Sequence, residues 1–151
     1  MSQSLSKMWT HLIFSTKDRF PFFADPGIRE ETHKYMAGIL NKQMCPTLLV
    51  GGVSDHVHAL FALSKNHSIA EIVYEVKRGS SKWIKTLDPK LRKFYWQAGY
   101  GAFSVSHSHV DRVRRYIEGQ ERHHRRTTFQ DEFRKFLRRY EVEFDERYVW
   151  D

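Results

Sequence analysis

Thr47-Leu-Leu-Val-Gly-Gly-Val-Ser-Asp-His-Val-His-Ala-Leu-Phe-Ala-Leu63 is the stretch on which the fold turns. Two runs rich in strand-forming residues, 47–53 and 56–63, flank the turn-like pair Ser54-Asp55, which predicts a β-hairpin. Gly51-Gly52 marks a bulge or a place where another part of the chain comes close. Side chains alternate across a strand, so His56 and His58 share one face and Val57 takes the other.

Upstream, residues 8–15 (Met-Trp-Thr-His-Leu-Ile-Phe-Ser) read as a first strand. Asp25-Pro26 supplies an N-cap and a first-turn proline for a helix running to about Asn41, with Ile28, Tyr35, Ile39 and Leu40 as its buried members. Downstream, Ser68-x-x-Glu71 has capping-box spacing. The helix it opens carries Ile69, Ile72, Val73, Val76, Trp83, Ile84 and Leu87 at helical intervals. Residues 94–105 end in a strand after a turn at Gly99 and Gly101. A third helix is expected from about His107 to His124. A last one starts near Thr128, with Phe129, Phe133, Phe136, Leu137 and Tyr140 on one stripe. The order β-α-β-β-α-β followed by helices predicts an α+β fold, a split βαβ antiparallel sheet with helices on one face plus C-terminal helices.

The chain has 151 residues, of which 40% are hydrophobic and 15% aromatic, and this excludes a disordered tail. No repeat, low-complexity run or linker interrupts it, so residues 1–151 read as a single domain. The net charge of +7 favours an anionic partner, nucleic acid ahead of an anionic membrane surface. Cys45 is the only cysteine, which excludes an intramolecular disulfide and suits the reducing cytoplasm. The apolar run Leu12-Ile13-Phe14 is too short for a signal segment or a membrane span.

Two constellations carry chemistry. His56 and His58 form half of a metal site, although paired histidines also occur without a ligand and several metal families use them. Tyr116 and Gln120 lie four residues apart on the expected third helix and share a face. His124 continues that stripe, with Arg112, Arg114, Arg115, Arg122 and Arg125 around it. Tyr116 could equally sit at the edge of a core beside Val113 and Ile117, with Gln120 solvated. Considered jointly, the groups meet the needs of phosphodiester cleavage: an in-line nucleophile, a polarising cation and donors for developing charge. A phenol with a pKa near 10 needs such help. Gln120 could give an oxygen to a metal held by His56 and His58. Attack by Tyr116 would then yield a phosphotyrosine ester that conserves the bond energy for rejoining.

The chain resembles the single-tyrosine HUH transposases of bacterial insertion sequences, those of the 200/605 type. The matching blocks are His11-Leu-Ile-Phe-Ser-Thr-Lys17, Gly51-Gly-Val-Ser-Asp-His-Val-His58 and Trp96-Gln-Ala-Gly-Tyr-Gly-Ala-Phe-Ser-Val-Ser106. Tyr116-Ile-x-x-Gln-x-x-His-His124 follows, with Phe129 and Glu132 beyond. The resemblance implies a ferredoxin-like or RRM-like fold, a homodimer and recognition of single-stranded DNA hairpins at element ends. It implies that His56, His58 and Gln120 are metal ligands and that Tyr116 is the nucleophile, leaving a 5′-phosphotyrosine and a free 3′-hydroxyl. In such dimers the tyrosine helix of one subunit can complete the metal site of the other. Domesticated relatives nick DNA at repeated palindromes, but the block around Gly101 looks closer to the insertion-sequence branch. Imidazole ligands alone favour manganese or zinc, whereas the resemblance implies Mg2+ or Mn2+.

Lys77, Arg78, Lys82, Lys85 and Arg115 are candidates for DNA backbone contacts, and Trp9, Trp83, Trp96, Tyr95 and Tyr100 for base stacking. Two other functions compete. A non-catalytic RRM-like module binding single-stranded nucleic acid would reduce Tyr116, Gln120 and the histidine pair to packing, and no RNP-like aromatic motif supports it. A zinc hydrolase using water lacks a third strong ligand.

Overall fold

A computed structural model describes residues 2–151; residue 1, part of the single-domain expectation, lies outside the described residues. The elements in chain order are β1 (Trp9–Ser15), α1 (Pro26–Lys42), β2 (Thr47–Gly52), β3 (His56–Ala62) and α2 (Ile69–Ile84). They continue with β4 (Gly101–Ser104), α3 (Val110–Glu118), α4 (Gln120–His123) and α5 (Phe129–Arg139). The four strands form an antiparallel sheet in the order β2-β3-β1-β4. This is the split βαβ arrangement expected from the element order.

The helices start where local chemistry satisfies their free amides. Asp25 accepts from the Gly27 and Ile28 amides at 2.7 and 3.3 Å. Ser68 accepts from Glu71 N at 3.1 Å, and Thr128 from Asp131 N at 3.1 Å.

Alternation along the strands splits the molecule into two cores. Leu12, Phe14, Val57, Ala59 and Phe61 face α1 and α2, packing on Met36, Leu40, Ile72, Val76 and Ile84. The opposite side chains face the C-terminal helices: Ile13 and Phe103 meet Phe129, Phe133 and Leu137, and Leu60 meets Val110 and Ile117. Every residue of β3 is buried because both faces of the sheet are covered. His56 and His58, on the parity of Leu60, therefore lie beneath the C-terminal helices. Phe144, Val149 and Trp150 close over the Phe129–Phe133 cluster. The Asp151 carbonyl accepts from Gly99 N at 2.8 Å, tying the end of the chain to the loop before β4.

Three expectations need correction. The third helix is not continuous from His107 to His124: a 3-10 turn spans His107–His109, α3 ends at Glu118, and Gly119 (φ −89°, ψ 13°) separates it from α4. Glycine has low helix propensity, so the break falls there at small cost. Tyr35 is not a core member; α1 buries Thr32, Met36 and Leu40, while Tyr35 stacks on Trp83 at 4.3 Å between ring centres. Gly101 opens β4 rather than the turn before it. The bulge in the hairpin lies between Thr47 and Leu49, and Gly51 is instead the close approach: a Cβ there would stand 2.8 Å from Ile117 Cγ2. Among the described residues, no helix is long and apolar enough to cross a membrane.

Candidate metal and nucleophile centre

β3 delivers two imidazoles whose outer nitrogens are already engaged. His56 Nδ1 donates to Asp55 Oδ1 at 2.7 Å, and His58 Nδ1 lies 2.8 Å from His11 Nε2. Both rings thus present Nε2 to a common point under α4 and α5. Outer partners of this kind fix ring orientation in metal sites. His56 Nε2 is 3.0 Å from Gln120 Oε1, and His58 Nε2 is 3.0 Å from Glu132 Oε1.

Glu132 on α5 is the hub of the cluster. It is 2% exposed, and its Oε2 accepts from Gln120 Nε2 at 3.2 Å and His124 Nε2 at 3.1 Å. The Tyr116 hydroxyl also donates to Oε2 and stands 3.2 Å from His123 Nε2. The ligand atoms of His56, His58, His124 and Glu132 all lie within 4.8 Å of one another.

Burial and charge pull these groups apart. Burial opposes ionisation of Glu132, but hydrogen bonds from His124, His56 and His58 outweigh it and hold the carboxyl well below the usual range. Burial also opposes charge on His56, yet Asp55 and Glu132 push its pKa up to about 9. His58 is shifted downward, chiefly by burial. Tyr116 is raised above the ordinary phenol range, first by burial and then by the Glu132 charge; Arg139 acts in the opposite direction. The centre as it stands holds its tyrosine protonated.

This donor set fits a divalent cation. Two imidazole nitrogens, the amide oxygen of Gln120 and the carboxylate of Glu132 converge, with Asp55 and His11 behind the histidines. The oxygen donors ease the mismatch between paired histidines and a hard ion such as magnesium.

The structure brings His56, His58, Tyr116 and Gln120 together, though Tyr116 and Gln120 reach the site from separate helices across Gly119. Glu132 carries no assigned role in the sequence reading. Its signal was an acid, the second of the pair Asp131-Glu132, set against the apolar stripe of α5 three residues after Phe129 and four before Phe136. His11 and His124 are the other members without an assigned role.

The DNA candidates behave differently. Lys77 Nζ donates to the carbonyls of Gln97, Ala98 and Gly99 at 2.8, 3.2 and 2.6 Å, and burial lowers its pKa to about 8. It braces the 97–99 loop rather than standing free for a phosphate. Arg78 pairs with Glu75 at 3.2 Å, and Lys85 lies 4.4 Å over the Tyr95 ring. Lys82 and Arg115 are exposed. The α2 residues lie across the sheet from the cluster. Of the aromatics, Trp96 is buried among Phe14, Phe23 and Phe94, and Trp83 is taken up by Tyr35. Trp9 is half-buried, and Tyr95 and Tyr100 are exposed.

Residues 4–120 match the model of a family described as IS200-like transposases. No curated protein matches the chain. Two solved structures share the fold. One, a crystal structure described as a candidate transposase from Deinococcus radiodurans R1, is 23% identical with a TM-score of 0.60, covering 80% of this chain and 98% of that one. The other is a REP-associated tyrosine transposase bound to a REP hairpin, 10% identical with a TM-score of 0.50 over 80% of this chain and 70% of that one.

Proposed function

This chain belongs to the IS200-like transposase family, and from that premise we propose that it nicks and rejoins single-stranded DNA at hairpin-marked element ends through a 5′-phosphotyrosine. The observation that carries this reading is the convergence of Tyr116, His56, His58, Gln120 and Glu132 in one buried cluster. A phenol hydrogen-bonded to a buried carboxylate is an unusual thing to place beside a potential metal site unless it reacts. The hairpin-bound tyrosine transposase of the same fold supports a hairpin as the substrate.

In this proposal, Tyr116 Oη attacks the scissile phosphorus while the P–O3′ bond breaks. Glu132 accepts the hydroxyl's hydrogen bond and so orients Oη; the tyrosine proton leaves to water, and the departing 3′-oxygen takes a proton from water to become a free hydroxyl. His56, His58, Gln120 and Glu132 would hold Mg2+ or Mn2+. The ion's chemistry is to polarise the phosphate and offset the charge that builds on it. Asp55 and His11 orient the two histidines, and His124 shares the carboxylate. Rejoining reverses the first step, as a 3′-hydroxyl attacks the phosphotyrosine and returns the proton to Tyr116.

The test is a denaturing gel of wild type and Tyr116→Phe with labelled single-stranded hairpin DNA, with and without Mg2+ or Mn2+. The expected result is a metal-dependent protein–DNA band in wild type that is absent in the variant. Binding without any such band would favour the non-catalytic module.

A further inference from the structure

Tyr116 and Glu132 reach the surface through a cavity of about 520 Å³, whose other lining residues are His123, Lys135, Phe136, Arg138 and Arg139. Glu132 is buried at its inner end, whereas Lys135, Arg138 and Arg139 are exposed. All three cations belong to α5, at three, six and seven residues beyond Glu132. Helical spacing sets Lys135, Arg138 and Arg139 side by side on one face (i, i+3, i+4). The same stripe returns from Glu132 to Arg139 over about 10 Å of helix. Among the described residues, none of the three is in an ion pair. Glu146, whose carboxyl feels the charge of Arg138, is already forked by Arg134 at 2.6 and 3.1 Å. The Glu132 carboxylate is occupied by His58, His124, Gln120 and Tyr116 and faces inward.

Last-turn cations also favour a helix by opposing its dipole. That accounts for Arg138 and Arg139 near the end of α5. It does not account for Lys135 joining them around an opening that ends on a nucleophile candidate.

We infer that Lys135, Arg138 and Arg139 form a phosphate cradle that leads a single DNA strand into the Tyr116 cavity, gripping the phosphates beside the scissile one. The α2 cations lie across the sheet, with Lys77 and Arg78 otherwise engaged, and Lys135, Arg138 and Arg139 are the lysine and arginine side chains that line the Tyr116 cavity. The inference deepens the DNA-nicking reading and rests on it. It concerns residues beyond the 4–120 segment that matches the family. Phe136, on the cavity wall, offers an apolar surface to the neighbouring nucleotide.

The test measures oligothymidylate binding against salt in the Tyr116→Phe protein, so that no covalent product contributes. Adding Lys135→Ala, Arg138→Ala and Arg139→Ala should lower the salt slope by about 2, at ~0.7 per single-strand phosphate. By the same relation, affinity should fall on the order of 100-fold at ~0.1 M salt. If the triple variant does not fold, Arg138→Gln and Arg139→Gln singly should each remove about 0.7 of the slope. Arg78→Ala with Lys82→Ala serves as the contrast and should change the slope least. An unchanged slope in a folded triple variant, or a larger loss from the α2 pair, overturns the cradle. Adduct formation by wild type together with an unchanged triple-variant slope removes the cradle and leaves the tyrosine chemistry standing. Slope loss with no adduct on any hairpin does the reverse.

Discussion

A carboxylate that is 2% exposed stays ionised only where donors surround it, and Glu132 has His58, His124, Gln120 and Tyr116. His33 shows the opposite treatment of a titratable group. Its Nε2 has no partner among the described residues, and burial, aided by the charges of Arg29, His56 and His58, presses its pKa down to about 4. The unfolded chain binds a proton on this ring below about 6.5, whereas the folded one resists it down to about 4. Stability should therefore be insensitive to His33 above pH 6.5 and fall as pH drops from 6.5 toward 4, by about 3 kcal/mol at most. Urea titrations of wild type and His33→Leu across that window check this. The stability difference between the two should shift in favour of the variant on acidification, and parallel curves would refute it. At this scale the sequence spoke unevenly. His56 and His58 could be paired from strand alternation alone, which needs no partner element. Glu132 and His11 could not, because their roles depend on α5 and β1 being brought against β3 by long-range packing.

Elements decide how accurately the tyrosine is held. Gly51 of β2 lets α3 sit against the sheet, with Ile117 covering the position a side chain would take. Gly51→Ala should force Ile117 outward, costing about 1–3 kcal/mol as an overpacked contact. Since Ile117 directly follows Tyr116, adduct formation should slow by more than DNA binding weakens. Thermal melts and single-turnover rates test this, and unchanged values of both would show that α3 adapts freely. The strands, the capped starts of α1 and α2, and the hairpin were all legible because turn and cap residues act locally. The break at Gly119 was not, since an unbroken helix over the same span satisfies the same periodicity. Nor was the exposure of Tyr35, whose choice between core and surface is made by Trp83 on another helix.

At the scale of the molecule, the sheet is covered on both faces and the centre lies in the second layer, built from β3, α3, α4 and α5. The fold class was legible from element order. Which layer the last helices would occupy was not, because a sequence does not show which sheet face an added helix chooses. Tyr116 and the histidine pair meet within one chain. A protein working in this arrangement should show no complementation between subunits. Mixing His56→Ala with Tyr116→Phe should give no DNA adduct, whereas restored adduct would mean that the tyrosine serves a partner's metal site. Sedimentation of the mixture reports separately whether the chain forms homodimers.

The claim on which the account stands is that Tyr116 becomes bonded to DNA. The most direct measurement is peptide mapping of the protein after reaction with single-stranded hairpin DNA, nuclease trimming and tryptic digestion. Arg115 and Arg122 bound a peptide of residues 116–122 that contains Tyr116 as its only tyrosine. The expected result is a metal-dependent nucleotide mass on that peptide and on no other. A nucleotide on a peptide holding Tyr35, Tyr74, Tyr140 or Tyr148, or cleaved DNA with no modified peptide at all, would contradict it.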